Sequence, residues 1–414
     1  MSEGSTSGAE RQAQIKRVLL FTAIGLAAVA GVVTLVIAPG AGGGGGLATP
    51  ADKAGGAGAP YTVELSPTGK VQFQHVPERV VTMDANYNDM LVAVQQDRKL
   101  VATGYKNNFY DGYYKTIEGL QVSYDPAKMT YLSVPGGGAF DKELLYSLHA
   151  DVFHIDPLQL ATSKGWTKAD VDEIAHNVAP FLANRYSRDH SYPGTEPYQY
   201  YSVWELSEKI AEVYQRPEPI RQLKAVYDEM MVAIRAKLPP EEKRPRVGLV
   251  YYNNGKFTTY TLANEGFGQA QYRDLGARDA FATIADRAYG SGSGGPTGTP
   301  LDAEGLLALN PDVLIMPFAV QGGTAGAAFD QMLALESDPL LQRVNAFRDK
   351  RLYPGGTPLQ GPVFYLFQIE MAAKQIYPET FGTFRKDSAY PVAEQLFDHE
   401  KLAEILRAKD HGSR

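Results

Sequence analysis

The same pattern occurs twice in this chain, as ELLYSLHADVFHI at residues 143–155 and as EGLLALNPDVLIM at residues 304–316. Both copies begin with glutamate, carry leucines at helical spacing, place aspartate at the ninth position and continue as an apolar run. The leucine spacing predicts the last turns of a helix, and the apolar run predicts a buried strand. Asn310-Pro311 marks the corner in the second copy, because the residue before a proline leaves the helical region. Two such units predict two lobes of similar build.

Strand and helix patterns alternate on both sides of the repeated units. Residues 79–83 and 100–104 predict buried strands in the first half, and residues 246–252 predict one in the second. Short strands separated by helices are typical of a mostly parallel sheet with helices on both faces. We therefore expect an α/β protein with two Rossmann-like lobes, an N-terminal lobe at residues 61–202 and a C-terminal lobe at residues 241–414.

The longest helical pattern lies between these lobes, at residues 203–240. Pro217 and Pro219 interrupt it, and prolines at such positions fit the first turn of a second helix. That second helix has about 18 residues and a length near 27 Å at 1.5 Å per residue. We expect two interlobe helices, of which the second joins the lobes.

The N-terminal part divides into three segments of different composition. Residues 1–17 are polar and end in basic side chains, and residues 18–37 form an uncharged, largely apolar run. A run of that length fits one membrane crossing, and the preceding positive charges place the N-terminus in the cytoplasm. Residues 38–60 consist mainly of glycine, alanine, proline and other small residues, which is typical of a flexible linker. We expect a retained transmembrane anchor with an extracytoplasmic body; a cleaved signal peptide is the alternative.

The composition excludes several classes of function. The chain of 414 residues is long enough for two domains, and its formal charge of −7 leaves no basic stripe for nucleic acid. Cysteine is absent, which excludes disulfides, thiolate metal sites and a cysteine nucleophile. Tyrosine occurs 25 times, and its apolar ring with a polar tip suits a ligand-binding surface. None of these features names the ligand.

Metal-binding and catalytic motifs are missing from the sequence. The seven histidines are scattered, and neither an HExxH motif nor a nucleotide-binding GxxxxGK[ST] loop is present. Asp84 and His190 are imaginable as an acid–base pair, but no nucleophile accompanies them. We therefore expect a protein that is not an enzyme and binds no metal ion directly. A membrane-anchored hydrolase and a membrane-anchored scaffold are the alternatives.

Several motifs in order along residues 61–400 resemble those of a known family. They are PERVV at residues 77–81, the repeated unit in each half, RPE at residues 216–218, and the segment 338–353. This order resembles the helix-hinged substrate-binding proteins of ABC importers, the class that carries iron–siderophores, haem and cobalamin. The resemblance implies two lobes joined by a long helix, a ligand in the cleft between them, and an ABC permease as partner. Ligands of open α/β sheets bind beyond the carboxyl ends of the strands, which points to the same cleft.

The resemblance also implies how the two lobes contact the permease. In this family an acidic residue on each lobe docks arginines of the permease, and the matching positions here are Glu143 and Glu304. A glutamate in the first turn of a helix also complements the helix dipole without any partner. Because the two glutamates head equivalent units, we expect both of them to dock the permease.

Candidate ligand-binding residues follow the strands that are expected to end at the cleft. Arginine keeps its charge and can hold an anionic ferric chelate through guanidinium hydrogen bonds, and glycine allows close approach of the backbone. The candidates of the N-terminal lobe are Met83, Asn86, Tyr87, Tyr105, Tyr110, Gly137, Arg185 and Tyr186, and those of the C-terminal lobe are Tyr252, Phe267, Arg273 and Phe318.

The resulting hypothesis is a binding protein that captures a ferric siderophore and delivers it to an ABC permease. Iron is expected only within the chelate, so we expect no resident cofactor. Haem with a tyrosine or histidine axial ligand, or cobalamin, is the alternative ligand within the same fold. The residues do not choose among hydroxamate, catecholate and carboxylate chelates, although the lack of a dense arginine trio disfavours an anionic catecholate.

Overall fold

In the computed structural model, residues 59–106, 109, 111–132, 140–284 and 300–408 are described, and they belong to a single compact unit. The predicted anchor at residues 18–37, like the linker as far as residue 58, lies outside the described residues. Among the described helices, none combines the length and the apolar character that a membrane crossing requires.

A parallel sheet lies at the centre of the N-terminal lobe. The strands of this lobe are β1 (Tyr61–Leu65), β2 (Gly69–Phe73), β3 (Val80–Thr82), β4 (Leu100–Thr103), β5 (Thr130–Tyr131) and β6 (Val152–His154). β1 and β2 form an antiparallel hairpin, and the remaining strands form a sheet of order β5-β4-β3-β6 in which every neighbouring pair is parallel. β3 and β6 are completely buried, as expected for strands that are covered on both faces.

The sheet of the C-terminal lobe is mixed. Its described strands are β7 (Arg246–Asn253), β8 (Lys256–Tyr260), β9 (Arg278–Asp279), β10 (Pro300–Leu301), β11 (Val313–Met316) and β12 (Leu352–Pro354), in the order β10-β8-β7-β11-β12 with β9 also beside β7. The strands β7, β9, β11 and β12 run parallel, whereas β8 pairs antiparallel with β7, and β10 pairs antiparallel with β8. The antiparallel part follows from Asn254-Gly255, since both residues have positive φ and form a tight hairpin turn. The predicted α/β fold is confirmed, with a less parallel second sheet than expected.

Helices surround both sheets. Those of the N-terminal lobe are α1 (Ala85–Ala93), α2 (Asp111–Tyr114), α3 (Lys142–Ser147), α4 (Pro157–Ala161) and α5 (Lys168–Asn177). The two that follow this lobe are α6 (Val203–Val213) and α7 (Pro217–Arg235). The remaining helices are α8 (Ala270–Asp274), α9 (Ala303–Leu309), α10 (Gly323–Leu333), α11 (Asn345–Arg348), α12 (Pro362–Ile376), α13 (Pro378–Phe381) and α14 (His399–Arg407). α12 is buried along its whole length and packs against α1, α7 and α8, so it lies at the centre of the molecule.

The two repeated units fold alike. Asp141 caps α3, where its carboxylate accepts from the amides of Glu143 and Leu144, and Asp302 caps α9, where its carboxylate accepts from the Gly305 amide. The residues at the seventh position of the units, His149 and Asn310, both have a left-handed backbone with φ of 47° and 43°. That conformation ends each helix, and the chain then enters β6 or β11.

The aspartate of each unit binds the first strand of its own sheet. Asp151 accepts hydrogen bonds from the backbone amides of Glu78 and Arg79 at 2.8 and 2.9 Å. Asp312 accepts one from the backbone amide of Arg246 at 2.8 Å. In return each arginine donates to a carbonyl near the end of the preceding helix, Arg79 to Leu148 at 2.7 Å and Arg246 to Asn310 at 3.3 Å. We name this reciprocal arrangement the aspartate–arginine clasp.

Removing the clasp carboxylate is expected to destabilise its lobe. Asp151→Ala leaves two backbone amides without their acceptor, and charge-assisted hydrogen bonds of this kind contribute about 1.5–3 kcal/mol. We expect a loss of unfolding free energy of about that size in urea denaturation. The matched control is Asp172→Ala, whose exposed side chain pairs only with Lys168 and should change stability by less than about 0.5 kcal/mol. Equal destabilisation by both variants would contradict the structural role of the clasp.

A buried carboxylate of the N-terminal lobe caps the central helix. Asp89 in α1 accepts hydrogen bonds from the backbone amides of Val363 and Phe364 at 2.9 and 3.2 Å and from the Tyr114 hydroxyl at 2.6 Å. A Cβ at Gly361 would lie 2.4 Å from the Asp89 carboxylate, so this close approach requires glycine. Burial raises the pKa of Asp89 to about 7, although its three hydrogen bonds lower it. The contact ties α1 directly to the start of α12.

The raised pKa predicts a dependence of stability on pH. Because the folded protein holds the Asp89 proton more tightly than the unfolded chain, the stabilisation is complete below about pH 4 and is lost as the pH rises through about 7. As the pH rises from 4 to 7, the unfolding free energy of the wild type should therefore decrease relative to that of Asp89→Asn. Burial lowers the pKa of His154 to about 4, so its contribution to stability increases as the pH rises. His154 is present in both proteins, so its contribution cancels in the difference between them. A difference that stays constant over this range would exclude the effect.

Candidate ligand-binding site between the two lobes

Polar side chains follow the strands of the N-terminal sheet at their carboxyl ends. Asp84 comes soon after β3, and Tyr105 soon after β4. Phe181 pairs with Phe153 of β6 in an isolated parallel bridge, and the chain then leaves the sheet towards residues 184–190. Since the carboxyl ends of parallel strands lie at one edge of a sheet, these segments meet where α/β proteins bind their ligands.

Four charged side chains form a cluster at this edge. Asp84 lies 3.1 Å from Arg188 and 3.8 Å from Arg185, measured from its Oδ2 to Nη1 and Nε respectively, and Asp189 Oδ2 lies 4.0 Å from Arg188 Nε. The side chain of Asp84 is 6% exposed and both arginine side chains are 10% exposed. Burial disfavours the charge on Arg188, but Asp84 and Asp189 outweigh burial and raise its pKa. We name these residues the Asp84–arginine cluster.

Polar groups near the cluster retain hydrogen-bonding capacity. Buried Arg185 Nε and buried Asn86 Oδ1 have no hydrogen-bond partner within the described ranges. The Arg185 guanidinium also lies over the Tyr186 ring, 5.4 Å from its centroid. Tyr105 is 38% exposed, and burial together with the charge of Asp84 raises its pKa, so its hydroxyl stays protonated. Unpartnered buried polar groups are costly, and a bound ligand would satisfy them.

The C-terminal lobe meets the arginine-bearing segment directly. The amide of Gly268 donates to the Arg188 carbonyl at 2.6 Å, and the Asn264 side chain donates to the Asp189 carbonyl at 2.5 Å. A Cβ at Gly266 would lie 2.3 Å from the Arg188 carbonyl, so only glycine fits. The segments 185–190 and 264–269 therefore lie in backbone contact across the lobes.

Buried glutamines extend from this contact into the C-terminal lobe. Gln368 donates to Gln360 at 2.6 Å, Gln360 donates to Gln271 at 2.8 Å, and Gln271 donates to Gln269 at 3.0 Å. Gln368 Oε1 and Gln269 Nε2, at the two ends, are buried without a hydrogen-bond partner in the described part of the chain. Gln269 follows the Gly268 amide that binds Arg188, so this polar chain reaches the interlobe contact.

An aromatic cluster supports the backbone of the arginine segment. Tyr186, Tyr192, Tyr198, Tyr200 and His190 pack with ring centroids 4.1–5.5 Å apart. The Tyr198 hydroxyl donates to the Asp156 carboxylate at 2.6 Å, and the same carboxylate accepts from the Arg185 amide at 2.8 Å. Asp156 comes two residues after β6, so the strand of the first repeated unit leads to Arg185.

The ligand candidates of the N-terminal lobe occupy different environments. Tyr105, Arg185 and Tyr186 lie around or beside the Asp84–arginine cluster. Asn86 is buried in α1, two residues after Asp84. Met83 and Tyr87 are buried in the core. The Tyr87 ring stacks on His154 at 5.7 Å, and its hydroxyl accepts from the Asn184 amide at 2.7 Å, so packing alone accounts for its position. Tyr110 and Gly137 lie outside the described residues.

The ligand candidates of the C-terminal lobe are also divided. Phe267 lies in the interlobe contact, where its amide donates to the Ser187 carbonyl at 3.3 Å. Arg273 donates to the Gly266 carbonyl at 3.1 Å and thereby supports the same loop. Phe318 is half-buried, has φ of 67°, and donates its amide to the Gly356 carbonyl at 2.7 Å. Tyr252 packs against Phe257 in the core.

Sequence reasoning missed part of this arrangement. The sequence suggested Asp84 and His190 only as an acid–base pair. It did not indicate that Arg188, Asp189, Tyr192, Tyr198 and Tyr200 belong to this site. The available signal was the density of tyrosines between residues 186 and 201. Nothing in the sequence shows that Asp84, a hundred residues upstream, contacts this segment.

The expected docking glutamates are both accessible. Glu143 is exposed in the first turn of α3, and Glu304 is exposed in the first turn of α9. The cap aspartates Asp141 and Asp302 satisfy the amides of these turns, so the glutamate carboxylates are not needed as caps. Their equivalent positions agree with a shared role.

Within the described ranges, histidine, aspartate and glutamate side chains do not come together in groups of three or more that would hold a metal ion.

A groove of about 1110 Å³ lies away from this site, between α7, residues 115–118 and residues 385–401. Acidic and basic side chains both line it, and none of its lining residues directly follows a strand of either sheet.

A family model described as periplasmic binding protein matches residues 80–357 of the chain. This chain belongs to the periplasmic binding protein family. The predicted class is thereby confirmed, and the protein is a binding component of transport rather than an enzyme. A comparison with curated protein sequences gives no match.

Solved structures of periplasmic binding proteins share the fold. A periplasmic binding protein of Veillonella parvula is 17% identical with a TM-score of 0.54, over 77% of this chain and 92% of that chain. The iron uptake substrate-binding protein PiuA of Streptococcus pneumoniae is 17% identical with a TM-score of 0.53, over 77% and 99%. The petrobactin-binding protein YclQ of Bacillus subtilis is 14% identical with a TM-score of 0.51, over 85% and 100%. At these identities the likeness establishes the fold alone.

Proposed function

We propose that this periplasmic binding protein captures a ferric siderophore between its lobes and delivers it to an ABC permease. The observation that carries the proposal is the Asp84–arginine cluster at the carboxyl ends of the N-terminal strands. Arg185 Nε, which pairs with Asp84 at 3.8 Å but makes no hydrogen bond, and the Tyr105 hydroxyl supply donors for the oxygen atoms of a chelate. The iron uptake and petrobactin-binding proteins of the same fold support this ligand class.

We further propose that the protein is attached to the membrane. Residues 18–37 have the length and composition of a transmembrane helix, and the basic residues before them favour a cytoplasmic N-terminus. The linker that follows lets the extracytoplasmic body move over the membrane surface while it stays attached. Such an anchor keeps the binding protein close to its permease.

Ligand binding is expected to stabilise the protein and to depend on Arg185. The purified protein should be stabilised by about 2.7 kcal/mol when a ferric siderophore is present at 100 times its Kd. Arg185→Gln removes a charged donor and should weaken binding by roughly tenfold to a hundredfold. Denaturation with and without ligand measures the stabilisation, and isothermal titration with ferric siderophores, haem and cobalamin measures the affinities.

The matched control for this experiment is Arg221→Gln. Arg221 lies exposed on α7, where it pairs with Glu218, and its loss should leave the affinity unchanged. Failure of all ferric siderophores to bind would contradict the proposed ligand class. Binding of haem or cobalamin in their place would support the alternative cargo.

Charge reversal at the docking glutamates should separate capture from delivery. In the double variant Glu143→Lys/Glu304→Lys, like charges would repel the expected permease arginines, and uptake of radioactive ferric siderophore should be lost. Ligand affinity should stay at the wild-type level, because both glutamates are exposed and lie outside the Asp84–arginine cluster. Glu242→Lys/Glu404→Lys, with the same charge change at exposed positions, is the control. A loss of ligand affinity in the first variant would argue against a docking role.

A further inference from the structure

Asp84 occupies a helix-capping position without capping the helix. It is the residue before α1 and has the extended backbone of a cap, with φ of −114° and ψ of 154°. Aspartate at such a position normally accepts a hydrogen bond from an amide of the first turn, which contributes about 1 kcal/mol. The Asp84 side chain makes no such bond. Its carboxylate instead lies against Arg188 and Arg185.

The formal charges of the Asp84–arginine cluster cancel. Two guanidinium groups face the carboxylates of Asp84 and Asp189, and Asp84 is the more buried of the two acids, with 6% against 26% of its side chain exposed. A chelate that contacts Arg185 or Arg188 therefore also comes close to a buried negative charge. Coulomb interactions are strong where water is largely excluded, so the charge of the chelate matters here.

From this geometry we infer that Asp84 determines specificity by selecting chelates of little or no net charge. The inference rests on the proposed function and names the class of siderophore. A ferric tris-hydroxamate complex is neutral, since three singly charged hydroxamates balance the iron, and its oxygen atoms accept hydrogen bonds from the guanidinium groups. A ferric tris-catecholate complex carries three negative charges, and Asp84 repels it.

The test compares chelates of different charge on variants of one residue. Ferrichrome is a neutral ferric tris-hydroxamate, and ferric enterobactin is a trianionic tris-catecholate complex. The wild type should prefer ferrichrome. Asp84→Asn keeps the size of the side chain but removes its charge, and should raise the affinity for ferric enterobactin by roughly tenfold or more. The affinity for ferrichrome should change much less.

Two further variants control for structural effects. Asp84→Glu keeps the charge and should retain the wild-type preference, which a purely structural role of Asp84 would not predict. Asp228→Asn makes the same charge change on the exposed face of α7, where Asp228 pairs with Lys224, and should leave both affinities unchanged. Thermal midpoints of all variants report whether each one is folded.

The result that overturns the inference is an equal change in both affinities for Asp84→Asn, or a wild-type preference for ferric enterobactin. Absence of ferrichrome binding to the wild type also overturns the inference. The proposed siderophore function fails only if the whole panel of ferric siderophores does not bind, so the panel distinguishes failure of the function from failure of the inference.

Discussion

The arrangement of helix and strand in both lobes depends on the aspartate–arginine clasp. In each lobe it joins the corner between a helix and a strand to the first strand of the sheet, through Asp151 and Arg79 or through Asp312 and Arg246. It also satisfies carbonyl groups that a helix end would leave without partners. The clasp fixes where β6 and β11 begin. It therefore also fixes the positions of the residues that follow the carboxyl ends of these two strands.

The strand of the first repeated unit thereby leads to the candidate ligand-binding site. Two residues beyond β6, Asp156 holds the Arg185 amide and the Tyr198 hydroxyl. The segment that follows carries Arg188 and contacts the loop around Gly266 and Gly268 of the other lobe. Asp89 adds a second long-range contact, between α1 and α12, because its carboxylate accepts a hydrogen bond from the Val363 amide at the start of α12. Burial disfavours the charged form of Asp89 and raises its pKa, whereas its three hydrogen bonds lower the pKa. The effect of burial is the larger, so the pKa remains raised.

Much of the fold follows from local sequence patterns. The repeated unit, the alternation of strands and helices and the break at Pro217 all depend on residues close in the chain, and these patterns predicted the α/β class. The antiparallel part of the second sheet depends on a hairpin at Asn254-Gly255, whose sequence signal is short. The family resemblance added the cleft and the two glutamates, which no periodicity shows.

The site was less predictable because its contacts join distant parts of the chain. Arg185 was expected from its place after a predicted strand, but its partner Asp84 is distant in the sequence, near the start of the lobe. Asp84 itself has the sequence context of an ordinary helix cap, and only the three-dimensional arrangement shows that its carboxylate is turned to the arginines. Tyr87 remains a predicted binding residue, and the structure adds that it is buried and that its hydroxyl accepts a hydrogen bond from the Asn184 amide.

The central claim is that a ferric chelate binds between the lobes against the Asp84–arginine cluster. Its most direct test is a crystal structure of the protein grown with ferrichrome, with diffraction data collected at the iron absorption edge. The anomalous signal locates the iron independently of how the chelate is built. The account predicts one iron peak between Arg185, Arg188 and the loop at residues 264–269. An iron peak in the groove beside α7, with the interlobe site empty, would contradict it.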